Sequence, residues 1–216
     1  MKKVAVILSG CGVFDGAEIH ESVLCLLAIE QNGAAWHCFA PNINQHHVLN
    51  HITGEEMPET RNVLVESSRI ARGNINDVTE LNPAEYDALL LPGGFGVAKN
   101  LSEFAFKGAD ATINPAVAQA CKQFAELGKP AGYVCIAPAL IPMIYTSGVQ
   151  GTIGNDVDTA SAFTMAGGEH IACNVDEVVF DEKHNVLSTP AYMLAQSVSE
   201  AASGINKLVK QLITIA

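Results

Sequence analysis

The chain is 216 residues long, 49% apolar and only 16% charged, with a formal net charge of −11. This composition excludes a disordered chain, and the acidic balance argues against nucleic acid and against anionic membrane surfaces as partners. No stretch reaches the roughly 18–20 consecutive apolar residues of a membrane span.

The first predicted element is a strand. The start, "MKKVAVILSGCGV", has the lysine pair of a secretory leader, but its apolar run stops at Gly10-Cys11-Gly12 and reads as a buried strand over "KVAVILS". Residues 18–32 carry apolar side chains at helical spacing, with Gly33 as the stop. "AAWHCFA" reads as the second strand, 42–60 as irregular, and "RNVLVESSRIARG" as a short helix. "YDALLLPGG" is the clearest strand, followed by the helix "NPAVAQACKQFAELG" with Asn114 as cap and Pro115 at its first position. Then come the strand "PAGYV", a helix after Cys135, two possible strands in "VQGTIG" and "HIACNV", and a small β-hairpin in "EVVFDEKHNVLST" that turns at 182–185. An amphipathic helix, "AQSVSEAASGINKLVKQLI", ends the chain.

Alternating strands and helices imply an α/β fold, with a mostly parallel sheet and helices on both faces. No linker or repeat divides the chain, so a single domain over 1–216 is expected. The six cysteines (Cys11, Cys25, Cys38, Cys121, Cys135 and Cys173) show no CxxC and no zinc-finger spacing to histidine. Reduced thiols in a cytoplasmic protein, and no bound metal, are the expectation.

In such folds ligands sit at the carboxyl ends of the strands, and three strand ends carry chemistry. Cys135 stands where a strand turns into a helix, a position that exposes a nucleophile and lets the helix N-terminus lower a thiol pKa. The small residues expected two places either side are only half met by Tyr133 and Ala137, and a buried structural cysteine is the plain alternative. Gly93 and Gly94 follow the "LLLP" strand, where backbone N–H groups can turn toward a ligand. The N–H groups of Gly94 and Ile136 could together hold an oxyanion. Glu18 and Glu21 open the first helix three residues apart; both suit the helix dipole, and either could carry protons near a thiol. "SGCGVFDG" approaches a dinucleotide fingerprint, yet the second strand lacks the acidic residue for ribose, so no nicotinamide is expected.

These segments together resemble the PfpI-like, class I glutamine-amidotransferase-like superfamily. "ESVLCLLAIEQNG" matches its first-helix glutamate stretch, "LPGGFGVAKNL" its LPGG loop and "VCIAPALI" its elbow. The blocks "VILSGCGVFDGAEIHE", "HHVLNHITGE", "TIGND", "TPAYMLAQ" and "EAASGI" resemble one bacterial branch, the enhancing-lycopene-biosynthesis proteins, so the match runs nearly end to end. The resemblance implies a flavodoxin-like three-layer sandwich, Glu21 rather than Glu18 as the functional glutamate, and a homodimer. It also implies a cofactor-independent glyoxalase of the glyoxalase III type, linked to isoprenoid biosynthesis. There are departures. Many superfamily members have a histidine directly after the elbow cysteine, where this chain has Ile136; others supply one near the position of Asn155 or Asp156. That counts against glutamine amidotransferase and peptidase chemistry, leaving His20 and His170 as the histidines to locate.

On this reading Cys135 adds to a small 2-oxoaldehyde, Glu21 moves a proton between its two carbons, and water releases a 2-hydroxy acid. Cys11, Glu18, Gly93 and Asn155 are the further candidates for the pocket. The alternatives are a cysteine-based redox sensor and a partner-binding scaffold of the same fold.

Overall fold

In the computed structural model, which describes all residues from Met1 to Ala216, nine strands follow in chain order. They are β1 (Lys3–Ile7), β2 (Ala35–Ala40), β3 (Ile75–Asp77), β4 (Ala88–Leu91), β5 (Ala131–Val134), β6 (Gln150–Gly151), β7 (Glu169–His170), β8 (Val179–Asp181) and β9 (Val186–Thr189). The helices are α1 (Ile19–Gln31), α2 (Val63–Ile70), α3 (Phe95–Lys99), α4 (Phe104–Lys107), α5 (Pro115–Glu126), α6 (Ile141–Ile144), α7 (Val157–Met165) and α8 (Val198–Ile215). Seven strands make one sheet in the order β3-β2-β1-β4-β5-β9-β8, parallel except for the antiparallel β8–β9 hairpin. The result is a flavodoxin-like α/β sandwich. No helix is long and apolar enough to cross a membrane.

Side-chain alternation along the strands divides the interior into two cores. Ala5, Ile7, Leu89, Leu91 and Tyr133 pack on one face with Val117, Cys121 and Phe124 of α5. Val4, Val6, Ala88 and Leu90 pack on the other with Cys25 and Ile29 of α1 and Leu208 and Leu212 of α8. Burial on both faces is why these strands read as unbroken apolar runs. The predicted stops hold as well: Asn114 caps α5 by accepting from the Ala116 and Val117 N–H groups, and Gly33 follows α1 at φ +73°.

Four local readings change. β3, only three half-buried residues at the sheet edge, carries no apolar run. α7 buries only Phe163, so it has no apolar stripe to read. The segments "VQGTIG" and "HIACNV" contribute two-residue strands that pair with each other outside the main sheet. The helix expected after Cys135 is a 3₁₀ turn over Ala137–Leu140 running into the one-turn α6, with Pro138 and Pro142 in their first turns.

Candidate active site

β5 ends at Val134, and the next residue turns sharply. Cys135 sits at φ +64°, a left-handed conformation that costs a non-glycine residue roughly 1–2 kcal/mol. Its N–H donates to the Thr189 carbonyl at the end of the neighbouring β9, at 2.9 Å. This ties the turn to the sheet and sets the thiol above the strand ends, with the residue 7% exposed.

Glu21, in the first turn of α1, is fully buried against that thiol. Its Oε2 accepts from the Gly93 N–H and its Oε1 from the Tyr192 N–H, both at 3.1 Å. The carboxyl group also lies beside the Cys135 side chain, which helps to hold its pKa down. Gly93 has to be glycine: a β-carbon there would come within 2.6 Å of Glu21 Oε2 and 2.9 Å of Cys135 Sγ.

The electrostatics follow from burial. Loss of solvent pushes the Glu21 pKa up to about 8, against the opposing pull of the Tyr192 N–H, the Cys135 side chain and the Gly93 N–H. Burial, and then the Glu21 carboxylate beside it, push the Cys135 thiol well above its ordinary value. The Gly94 and Ile136 N–H groups beside the sulfur pull the other way. The lowered thiol pKa expected from a helix N-terminus is therefore reversed. The 3₁₀ turn behind Cys135 has little dipole to offer, and desolvation outweighs it. Two acids share a dry site, which disfavours the doubly charged form.

Gly94, at φ +101°, lets the β4 loop cross the β1–α1 loop at close range. There Glu18 N–H donates to Gly93 O, Phe95 N–H to Val13 O and Gly96 N–H to Gly16 O, at 2.8–2.9 Å. Of the glycines in "SGCGVFDG", Gly16 serves this crossing, since a β-carbon on Gly96 would stand 2.6 Å from its Cα.

The other candidates separate. Glu18 is the N-cap of α1, its Oε2 accepting from the Glu21 N–H at 2.6 Å, so it holds the helix start and offers no second free acid. Cys11 is half-buried among the charges of Glu66, Arg69 and Asp15, away from the Cys135–Glu21 pair. Asn155 is exposed and lines a groove of about 480 Å³ together with His170. His170 accepts the Ile153 N–H at 3.2 Å, so neither residue joins the thiol. His20 does come near: its Nδ1 bonds the Tyr192 hydroxyl at 2.9 Å.

Tyr192 is the residue that sequence reasoning missed. It follows Ala191, which sits at φ +42° just past β9, and it supplies a main-chain N–H to Glu21. The available signal was positional: "TPAY" ends the strand beside β5. Next to the elbow, Ile136 also lines an apolar groove of about 330 Å³ with Phe95, Phe104, Phe106 and Ala162. No group of three or more His, Cys, Asp or Glu side chains is placed to hold a metal ion.

No family model matches the chain. It is 41% identical to the mitochondrial ES1 protein homolog of Rattus norvegicus, over 99% of this chain and 84% of the relative. It is also 41% identical to the mitochondrial glutamine amidotransferase-like class 1 domain-containing protein 3 of Homo sapiens, over 99% and 83%. A crystal structure of an isoprenoid biosynthesis protein with amidotransferase-like domain from Ehrlichia chaffeensis superposes with a TM-score of 0.93 at 38% identity, covering 99% of each chain. Glyoxalase III from Candida albicans shares the fold at 13% identity, with a TM-score of 0.65 over 99% of this chain and 96% of that one. The expectation of a cytoplasmic protein is overturned, because the rat and human relatives are named as mitochondrial proteins. Reduced cysteines and an acidic surface do not distinguish one reducing compartment from another. The chain belongs to the ES1 family of class I glutamine amidotransferase-like proteins.

Proposed function

We propose that this protein is a cofactor-independent glyoxalase of the glyoxalase III type, which converts glyoxal or methylglyoxal to the corresponding 2-hydroxy acid. The observation that supports this reading best is the burial of Cys135 and Glu21 side by side against Gly93, flanked by the N–H groups of Gly94 and Ile136. The fold is shared with a glyoxalase III, but fold alone does not carry an activity.

As the Cys135 thiol gives its proton to the Glu21 carboxylate, the sulfur adds to the aldehyde carbon, forming a C–S bond and an oxyanion that the Gly94 and Ile136 N–H groups would receive. Glu21 passes that proton on to the oxyanion, which gives a hemithioacetal and restores the carboxylate. Glu21 removes the hydrogen from the former aldehyde carbon, giving an enediol, and returns a proton to the neighbouring carbon. The first carbon is thereby oxidised and the second reduced within one molecule, so no external electron carrier is consumed. The product is a thioester, which water cleaves to the 2-hydroxy acid and free thiol. A thiol 7% exposed suits a substrate of only a few heavy atoms. The thiol's side-chain partner is a carboxyl group, not a histidine, which weighs against glutamine hydrolysis.

The test is turnover of glyoxal and methylglyoxal without added glutathione or metal. Hydroxy-acid formation is expected in the wild type and Cys11→Ala, and its loss in Cys135→Ala and Glu21→Gln. An inert wild type, or activity that survives Cys135→Ala, would sink the proposal.

A further inference from the structure

A second cavity, of about 400 Å³, lies at the opposite end of the sheet from Cys135. It opens where α5 runs into β5 and where the β8–β9 turn leads into β9, so about 13 Å of strand separates it from the elbow. Lys122, Thr146, Lys183 and His184 line it with polar groups, and Ile144 and Tyr145 form an apolar wall.

His184 is held there by a relay. Its Nδ1 bonds Asp181 Oδ2 at 2.7 Å, and its Nε2 meets the Thr146 hydroxyl at 2.8 Å. Asp181 is buried and fully engaged: Oδ2 also accepts from the Gln150 N–H at 2.8 Å, and Oδ1 from the His184 N–H at 3.0 Å. Because a carboxylate can only accept, Nδ1 carries the proton, and the ring is fixed with its other edge on Thr146. The arrangement has the order of a hydroxyl–imidazole–carboxylate triad. However, the hydroxyl is a secondary one, so the relay is read as a fixed wall of the cavity and not as a nucleophile.

Lys122 and Lys183 make no ion pair, whereas Lys107 and Lys207 each hold a carboxylate. In a chain of net charge −11, two free ammonium groups from separate elements face one concavity whose only lining acid is Glu126. The Thr146 hydroxyl and His184 Nε2 are spent on each other, so the donors left for a ligand are the two ammonium groups. Their two positive charges match the near-dianion of a phosphate monoester better than the single charge of a carboxylate.

We propose that this cavity binds a small phosphate monoester, with the phosphate between Lys122 and Lys183 and its organic group against Ile144 and Tyr145. The volume is in the range of small-molecule sites.

Calorimetric titration of the full chain with glycerol 3-phosphate tests this, with inorganic phosphate and lactate as comparison ligands. Saturable binding of the monoester, tighter than either comparison ligand, is expected. Lys122→Ala/Lys183→Ala, at two exposed positions that leave folding intact, should weaken it by about tenfold or more. Lys210→Ala, an exposed lysine away from the cavity, should leave it unchanged. Absence of binding would overturn the assignment, as would binding that the double variant retains or that Lys210→Ala weakens equally. Lactate binding as tightly as the monoester would overturn the phosphate assignment, and inorganic phosphate doing so would overturn the role of the apolar wall.

Discussion

Gly93 lies so close to Cys135 that an added β-carbon would stand 2.9 Å from Sγ, inside any normal contact. The same atom would meet Glu21 Oε2 at 2.6 Å, so one methyl group would press on both members of the buried pair. Neither has room to retreat, because Glu21 is fully buried and Cys135 is pinned through its N–H to Thr189. Gly93→Ala is expected to destabilise the protein by about 1–3 kcal/mol, the usual cost of overpacking. It should also lower glyoxalase kcat/KM by about a hundredfold, since displacement of a reacting group by about 1 Å costs that much. Thermal unfolding and turnover on the same sample check it; a fully active Gly93→Ala would contradict the placement of the site.

The pH dependence of stability follows from Glu21. Its folded pKa of about 8 lies above its ordinary 4.5, so between those values the folded protein keeps a proton that the unfolded chain has released. Stability is therefore greatest below about pH 4.5 on this account and falls as pH rises to about 8, by a few kcal/mol. Glu21→Gln keeps the volume and cannot ionise, so denaturant unfolding of this variant should lose that slope. If wild type and variant show the same slope over this window, the buried acid is not the cause.

Activity should move in the opposite direction. The reaction needs the pair to have released a proton, and the first leaves near pH 8, so kcat/KM for methylglyoxal should rise with pH to a plateau above that value. A flat profile between pH 6 and 9 would show that chemistry at this pair does not limit turnover.

Much of this was legible in the residues, and what was not has physical causes. β1 and β4 are central strands covered on both faces, so "KVAVILS" and "DALLL" stand out as continuous apolar runs. Cys135 and Glu21 announce themselves by residue type and place, a thiol at a strand end and an acid in a first helical turn. Tyr192 could not, because what it gives Glu21 is a main-chain N–H that any residue but proline would supply. The direction of the thiol pKa was equally hidden: the helix start is local and readable, whereas the burial that outweighs it comes from α1, β4 and β9 packing together. α7 and β3 escaped because each buries too little to leave a pattern.

Cys11 provides a control on which thiol matters. It and Cys173 are partly exposed, whereas Cys135 is 7% exposed and lies beside Glu21. Brief alkylation at neutral pH, read by peptide mass spectrometry, should mark Cys11 and Cys173 before Cys135. Cys11→Ser should keep turnover within about twofold, as for a surface change outside the site. Preferential modification of Cys135 would instead favour the redox-sensor reading, in which an exposed, ionised thiol is the point of the design.

The Tyr192 anchor can be isolated by comparing three variants. Tyr192→Phe removes the hydroxyl bond to His20 and leaves the N–H on Glu21, so kcat/KM should stay within about threefold of wild type. Tyr192→Ala removes the whole side chain and keeps the donor. Tyr192→Pro removes the donor itself. That N–H stabilises the charged carboxylate, so its loss raises the Glu21 pKa still further, and the rising limb of the pH profile should shift up by about one pH unit in Tyr192→Pro relative to Tyr192→Ala. Identical limbs in the alanine and proline variants would mean that the turn after β9 does not tune the acid. A large loss in Tyr192→Phe alone would assign the work to the hydroxyl and to His20 instead.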